Sequence, residues 1–459
     1  MSTQESAPFV VRRRRTPAGM GGKFVKPRPR EFGFKLVTHP LFDLEFATTL
    51  GLFVAMLFIA QLETLGALAI VGLTGAYTLL HVMRLFEILL PRSFILAIPL
   101  VMIFSTLWSE TPSETLKYSI EFAITVGGAL LLSASRRPTS VLFGMFLAFT
   151  LYIAVTLVFG EAVTVGTTGA TAFAGLNRGK NLLADIASTG LLVSAATFLV
   201  AGAERRMLLV LAAAVVAIAE FYVLVEARSA GAMLGFLMAA AAFALLLALR
   251  SAGFVLRAVV TAFLSACLLA VALSYRAVSS TLMDVGAVLF DKDPTLTGRT
   301  YLWQRAGDLI VETPFLGRGF RSFWLQGNPD AEGLWQFAGI TSRDGFNFHN
   351  TPIEILVHLG WFGLIVYGAV LIIALVFLVF KFLVRPNLFH CFWLSVLVYE
   401  MVRMPIESIG FNEFYFSTLL LFMAMGSAFG VPAEQPSYRR LPGPVRQPRP
   451  RPVQLRMRP

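Results

Sequence analysis

MLLVLAAAVVAIAEFYVLVE, residues 207–226, is followed by AGAMLGFLMAAAAFALLLALR, residues 230–250. Each run is close to the ~20 apolar residues that a helix needs to cross a bilayer's hydrocarbon core. Only the charged step Glu226-Ala227-Arg228-Ser229 breaks the apolar stretch, so the pair reads as a membrane hairpin. The rest of the chain agrees with it. Of 459 residues 56% are apolar before the 37 glycines are added, only 14% are charged, and the mean hydropathy is +0.73. A soluble domain carries roughly 45–50% apolar residues with glycine included. These values exclude a water-soluble globule, a disordered chain and a disulfide scaffold. Cys267 and Cys391 both lie in apolar runs, which argues against a structural disulfide or a metal site.

Walking outward, twelve segments qualify as spans: about 45–62, 64–82, 93–109, 116–133, 139–159, 182–201, 207–226, 229–249, 254–274, 353–380, 388–404 and 412–430. The expected fold is an all-α polytopic membrane protein. A basic cytoplasmic tail, 1–44, precedes nine helices in 45–274. A large periplasmic loop with an amphipathic helix follows in 275–352, then three helices in 353–430 and a Pro/Arg-rich cytoplasmic tail, 431–459. The first long apolar run begins only near Ala47, too far from Met1 for a secretory signal.

The net charge of +11 would suggest nucleic acid in a soluble protein. Here its placement reads as topology. With the N-terminus inside, each inner loop holds a basic pair: Arg84 and Arg92, Arg136 and Arg137, Arg205 and Arg206, Arg250 and Arg257, Lys381 and Arg385. The short outer segments hold five: Lys117, Arg178, Lys180, Arg228 and Arg403. With the tails counted, 26 basic residues fall inside against these five, the pattern of the positive-inside rule. The charge thus predicts both termini in the cytoplasm, with the tails near anionic lipid headgroups.

In the large loop, Leu302, Trp303, Ala306, Leu309 and Ile310 form one stripe at helical spacing, with Arg299 in the first turn and Pro314 at the end. Such a helix suits the membrane surface, with Trp303 in the interface, or a lid on the bundle. The loop closes with His349-Asn350-Thr351-Pro352-Ile353-Glu354. Thr351 and Glu354 have capping-box spacing, and Pro352 suits a first helical position. His349 then stands just before a helix N-terminus, where backbone N–H groups favour anions and a histidine exchanges protons near neutral pH. Asp291-Lys292-Asp293 resembles the metal-binding Asp-x-Asp of some glycosyltransferases but is short and common, and the five histidines are scattered.

The run Gly298-Arg299, Trp303, Pro314, Gly317-Arg318-Gly319-Phe320, then His349-Asn350, Glu354 and Leu359-Gly360-Trp361-Phe362-Gly363 resembles the O-antigen ligase/polymerase superfamily. Trp108-Ser109 with Pro112, Gly175 with Lys180-Asn181, Ala227-Arg228-Ser229 and Glu407-Ser408 resemble further motifs of that family in order, with Ala227 where the family has Ser. The likeness runs from about Leu100 to Phe429, nearer to the exopolysaccharide polymerases than to the lipopolysaccharide ligases. It implies glycosyl transfer at the outer face of the bacterial inner membrane. The donor is a glycan on undecaprenyl diphosphate, and the acceptor is another lipid-linked repeat unit or lipid A–core. Neither a metal nor a cofactor is implied. Membrane lipids, a chain-length co-polymerase and export proteins are the partners that follow from the likeness.

The residue chemistry fits this. A departing lipid diphosphate needs positive charge and hydrogen-bond donors, and arginine's planar fork binds phosphate in a bidentate manner. The topology alone puts Lys180, Arg228, Arg299 and His349 at one membrane level. His349 is the expected general base, with Arg228 and Arg299 as catalytic cations. Lys180, Asn181, Glu407 and Arg318 are expected to bind diphosphate or sugar. Glu400 and Arg403, one turn apart, read as a structural pair, as do Glu354 and His358. Tyr301, Trp324 and Trp335 suit sugar stacking or interface anchoring. The competing class is a flippase for lipid-linked sugars, which needs charges along a path through the membrane; here the ionisable residues gather at the outer ends.

Overall fold

The structure, a computed structural model, describes residues 43–165, 170–273, 299–343 and 346–429. Most of both basic tails and the Asp291-Lys292-Asp293 triplet lie outside these residues. The described chain is mostly helical. Seven helical segments are long and apolar enough to cross a membrane: Val82–Leu107, Pro112–Ser133, Pro138–Phe159, Lys180–Ala203, Met207–Glu226, Ala230–Leu249 and Thr351–Val384. Shorter apolar helices occupy Leu44–Leu57, Thr64–Leu80, Phe254–Ala266 and Phe416–Ser427, and Leu388–Arg403 precedes the last of them. The protein is therefore a multi-pass membrane protein.

Burial sorts these helices. Lys180–Ala203 and Pro138–Phe159 are 72% and 61% buried, whereas Met207–Glu226 is 22% buried. The last exposes Leu208, Leu211 and Ile218, as a helix facing lipid would. The helices Leu44–Leu57 and Pro138–Phe159 are locked at one end by Asp43. Its carboxylate caps Leu44–Leu57 by accepting from Phe46 N at 2.8 Å. It also accepts from Ser140 Oγ at 2.5 Å, at the start of Pro138–Phe159. The two helices touch closely at Gly144, where a Cβ would stand 2.8 Å from the Phe46 carbonyl oxygen.

Among the described residues, one hairpin departs from an all-helical chain. Glu161–Val165 and Ala170–Gly175 form an antiparallel hairpin. Gly175, with φ +68°, turns it toward the Lys180–Ala203 helix.

The large loop has its own small core. The stripe of the Arg299–Glu312 helix buries Leu302, Ala306 and Leu309 against Phe323, Ala331, Leu334, Trp335, Phe348 and Val357. Trp303 joins it, and its Nε1 donates to the Phe348 carbonyl at 2.8 Å. The helix is therefore a lid packed on protein; the membrane-surface alternative is corrected, because the apolar stripe is consumed by this core.

The Thr351–Val384 helix is broken at Gly360, where φ is +63° and ψ −167°. Four backbone groups freed by the break pair with the segment after Pro314. Trp361 N and Phe362 N donate to the carbonyls of Pro314 (2.9 Å) and Phe315 (3.1 Å). Arg318 N and Gly319 N donate to those of Val357 (3.1 Å) and His358 (2.8 Å). Broken helices are tolerated at membrane depth only where protein satisfies the freed groups, as here. The contact needs Gly360: its Cβ would lie 2.3 Å from the Phe315 carbonyl carbon. The Trp108 segment grips the same strap. Trp108 Nε1 donates to Leu316 O at 2.9 Å, and Thr115 Oγ1 to Phe320 O at 2.8 Å.

Candidate active site

Two loops are zipped together just before the Thr351–Val384 helix and just after Leu388–Arg403. Asn350 Nδ2 donates to Pro405 O at 2.8 Å, and Thr351 N to Met404 O at 2.8 Å. The Thr351 hydroxyl donates to Glu407 O at 3.0 Å and accepts from Ile409 N at 2.7 Å. The helix cap is Asn350, whose side chain accepts from Ile353 N at 3.0 Å, with Pro352 in the first turn. The expected Thr351–Glu354 capping box is thus corrected, because the Thr351 N–H is taken by Met404. Glu354 turns instead to Trp324 Nε1 (2.9 Å), Phe348 N (2.9 Å) and His358 Nε2 (3.2 Å).

This zipper brings His349 to Glu407. His349 Nδ1 lies 2.9 Å from Glu407 Oε2. The His349 backbone is held at φ +51°, with its N–H on Asn347 Oδ1 at 2.8 Å. Glu407 Oε1 accepts from Arg299 Nη2 at 2.9 Å and from Asn181 Nδ2 at 3.0 Å. Arg299 Nη1 also donates to the Ile406 carbonyl. Asn181 in turn accepts from Ser229 Oγ at 3.0 Å. One carboxylate therefore gathers groups from three distant parts of the chain. Burial pushes the Glu407 carboxyl up, but the hydrogen bond and charge of His349, with Arg299 and Arg403, outweigh it and hold it down to about 2. An ionised Glu407 only accepts, so His349 turns an N–H toward it from Nδ1, and in the neutral ring Nε2 carries the lone pair. That is the tautomer of a general base.

His349 and Glu407 line a cavity of about 810 Å³. Arg178, Lys180 and Asn181 enter it from the start of the Lys180–Ala203 helix, which has no side-chain cap. A helix N-terminus with uncapped N–H groups and flanking cations suits an anion. Deeper, Arg403 pairs closely with Asp185, and Tyr399 Oη donates to Asp185 at 2.9 Å. The expected Glu400–Arg403 pair is therefore corrected: the partner of Arg403 comes from another helix, out of reach of local spacing. Glu354 and His358 do pair, both fully buried.

Of the residues singled out in the sequence, His349, Arg299, Glu407 and Asn181 form one network, and Lys180 lines the same cavity. Arg228 is exposed and outside the cavity lining, one residue before Ser229. Arg318 is drawn elsewhere, to Glu312 and within 3.5 Å of Glu110 and 3.7 Å of Asp330, where it ties down the strap. Tyr301 stacks on Phe337 with ring centroids 4.3 Å apart.

The structure adds Arg321 and Glu413 to the cavity wall, joined in a fork: Nη2 to Oε1 at 2.6 Å and Nε to Oε2 at 3.0 Å. Burial pulls the Arg321 guanidinium down, and Glu413 more than offsets it, raising it above its usual value. Asp185 is the other addition. Its signal was present in the sequence as a lone acid inside an apolar helix, where ionisable residues are costly and functional by default. Arg321 and Glu413, in loops, carried no such signal.

A family model described as O-antigen ligase matches residues 215–368. That stretch holds Arg228, Arg299 and His349, while Asn181 and Glu407 lie outside it. The exopolysaccharide production protein ExoQ of Rhizobium meliloti (strain 1021) is 29% identical over 331 residues, covering 72% of this chain and 74% of that protein. Together the two matches support the likeness to the O-antigen ligase/polymerase superfamily, close to its exopolysaccharide polymerases.

Proposed function

We propose that the protein polymerises undecaprenyl-diphosphate-linked oligosaccharide repeat units into exopolysaccharide at the periplasmic face of the inner membrane. The observation that carries this reading is the His349–Glu407–Arg299 network opening on a cavity that Lys180 and Arg178 also line. His349 Nε2 takes the proton of the acceptor hydroxyl, and that oxygen attacks the anomeric carbon of the donor. The bond from this carbon to the diphosphate oxygen breaks, and its electron pair leaves with undecaprenyl diphosphate. The stereochemistry inverts, and no metal takes part. The uncapped helix end with Lys180 and Arg178 receives the diphosphate, and Arg228 supplies charge at its approach. Asn181 and Arg299 hold Glu407, and Glu407 holds the base. The reading also carries twelve crossings with both termini in the cytoplasm.

Purified protein given a lipid-diphosphate oligosaccharide should lengthen it and release undecaprenyl diphosphate, and His349→Ala should stop this without loss of expression. Near-normal polymer from that variant would overturn the base assignment. Transfer only to lipid A–core would make the protein a ligase of the kind the family model is named for. Movement of the donor across liposomes without any product would make it a transporter.

A further inference from the structure

We propose that the cavity wall formed by Tyr118, Arg321, Trp324, Phe346 and Glu413 is the acceptor-sugar subsite, and that it takes a neutral, hydroxyl-rich pyranose. The inference deepens the transferase reading and rests on it for the identity of the acceptor. Five observations converge. First, the wall adjoins the base. Phe346 packs edge-on against His349 with centroids 5.8 Å apart, and Trp324 packs edge-on against Phe346 at 5.2 Å. A continuous run of rings therefore leads from His349 to Trp324. The sugar whose hydroxyl is deprotonated must lie next to His349, so this wall is the acceptor's.

Second, Arg321 and Glu413 present fixed donors and acceptors. Their forked bridge holds both side chains in one geometry while leaving the remaining guanidinium N–H groups and carboxylate lone pairs for a ligand. Vicinal hydroxyls, each both donor and acceptor, match such a surface. Third, the aromatic faces suit the apolar face of a pyranose. Tyr118 lies under the Arg321 guanidinium at 5.8 Å from the ring centroid. Trp324 has its Nε1 committed to Glu354 and its ring packed against Phe323, Phe346 and Phe348, so it is a fixed part of the wall.

Fourth, the pair is internally neutral. Arg321 is matched one to one by Glu413, so the wall offers no surplus charge to an acidic sugar. Arg178, 2.7 Å from Glu161, and Lys180 line the cavity at the helix start. Fifth, the wall was built at a conformational cost. Arg321 sits at φ +61° and Phe414, beside Glu413, at φ +50°. Non-glycine residues in that region are uncommon and cluster at ligand sites. Asn412 and Asn347, also lining the cavity, add amide donors and acceptors.

The test is binding of soluble methyl glycosides to the full chain in nanodiscs, followed by saturation-transfer NMR, beside transfer assays with lipid-diphosphate donor. Methyl glucoside and methyl galactoside should bind to wild type, and methyl glucuronide should bind more weakly. Glu413→Gln keeps the shape but breaks the fork, and it should weaken the neutral glycosides about tenfold, as loss of one charged hydrogen bond does. Tyr118→Leu, on the half-exposed face of its helix, serves as the second variant and should weaken them too. Unchanged glycoside binding in both variants would overturn the subsite. Transfer by wild type without any glycoside binding would overturn it as well while the transferase reading stands. Glycoside binding that both variants lose, in a wild type that transfers nothing, would leave the subsite in place and remove the transferase reading.

Discussion

Glu407→Gln is the sharpest perturbation of the site, because the carboxylate is used on both sides. Oε1 accepts from Arg299 at 2.9 Å and Asn181 at 3.0 Å, and Oε2 faces His349 Nδ1 at 2.9 Å. An amide has one oxygen. Two donors compete for it on the Arg299 side, so the amide oxygen turns there and the NH₂ turns to His349. Nδ1 must then accept, the ring hydrogen moves to Nε2, and the lone pair that should take the acceptor proton is gone. The comparable Asp-to-Asn change in serine proteases, a worked case of a base held in the wrong tautomer, costs about 10⁴ in kcat. Glu407→Gln should therefore lower kcat by roughly 10³–10⁴ with a small change in KM for the lipid donor, since the cations of the helix start are untouched. The assay is chain elongation by purified protein in nanodiscs, with initial rates taken from pH 6 to 9. A variant within tenfold of wild type would refute the role of Glu407 in setting the tautomer. A loss confined to KM would refute it too, by making Glu407 a substrate contact.

Glu407 also sets a pH dependence of stability. Its folded value of about 2 lies below the ordinary carboxyl value of 4.5, so its contribution is complete above about pH 4.5 and is lost as pH falls toward 2, worth on the order of 3 kcal/mol. Thermal unfolding should show wild type losing more of its midpoint than Glu407→Gln between pH 5 and 3; parallel curves would contradict this. Arg299→Lys keeps the charge but supplies a single point in place of the fork that reaches Glu407 and the Ile406 carbonyl, so kcat/KM should fall about ten- to hundredfold; an unchanged value would free Arg299 from that duty. Gly360→Ala places a Cβ 2.3 Å from the Phe315 carbonyl carbon at φ +63°, and should abolish monodisperse protein in size-exclusion chromatography; a normal profile would mean the strap tolerates displacement. Asp185→Asn leaves the buried Arg403 without its counter-charge and should cost about 3–5 kcal/mol, read as a lower melting temperature.

The helices were legible because membrane solvation imposes long apolar runs, which the sequence cannot disguise. His349, Arg299, Asn181 and Glu407 were singled out by the family resemblance instead, and the spacing of its motifs gave no hint that they meet at one carboxylate. What escaped was non-local or irregular. The 161–175 hairpin lies in a stretch whose Gly, Thr and Ala content reads as loop. The Thr351–Glu354 box had correct local spacing, yet Met404 O claimed the N–H from the far end of another helix. Arg403 was assigned to the acid one turn away, whereas the acid on a neighbouring helix won. In each case the local rule was sound and a tertiary partner outbid it.

The Gly360 break ties the large loop to the helix that follows it. A straight helix from Thr351 would satisfy its own backbone and leave the large loop held by side chains alone. Breaking it frees two carbonyls and two N–H groups inside protein, where leaving them unpaired would cost several kcal/mol. The Pro314–Gly319 strap supplies all four partners, and Gly317, at φ +65°, packs its α-carbon against the His358 carbonyl, where a Cβ would lie 2.5 Å away. From Trp361 to Val384 the helix keeps 24 residues, about 36 Å at 1.5 Å per residue and enough to cross the bilayer alone. The turns before Gly360 are thus released from spanning. They carry Asn350 and Glu354, which zip the His349 loop to Pro405 and to Trp324. The glycines, the proline and the tryptophans therefore act as one device that fixes the position of an imidazole, and the catalytic residues and the apparently structural motifs should fail together when it is broken.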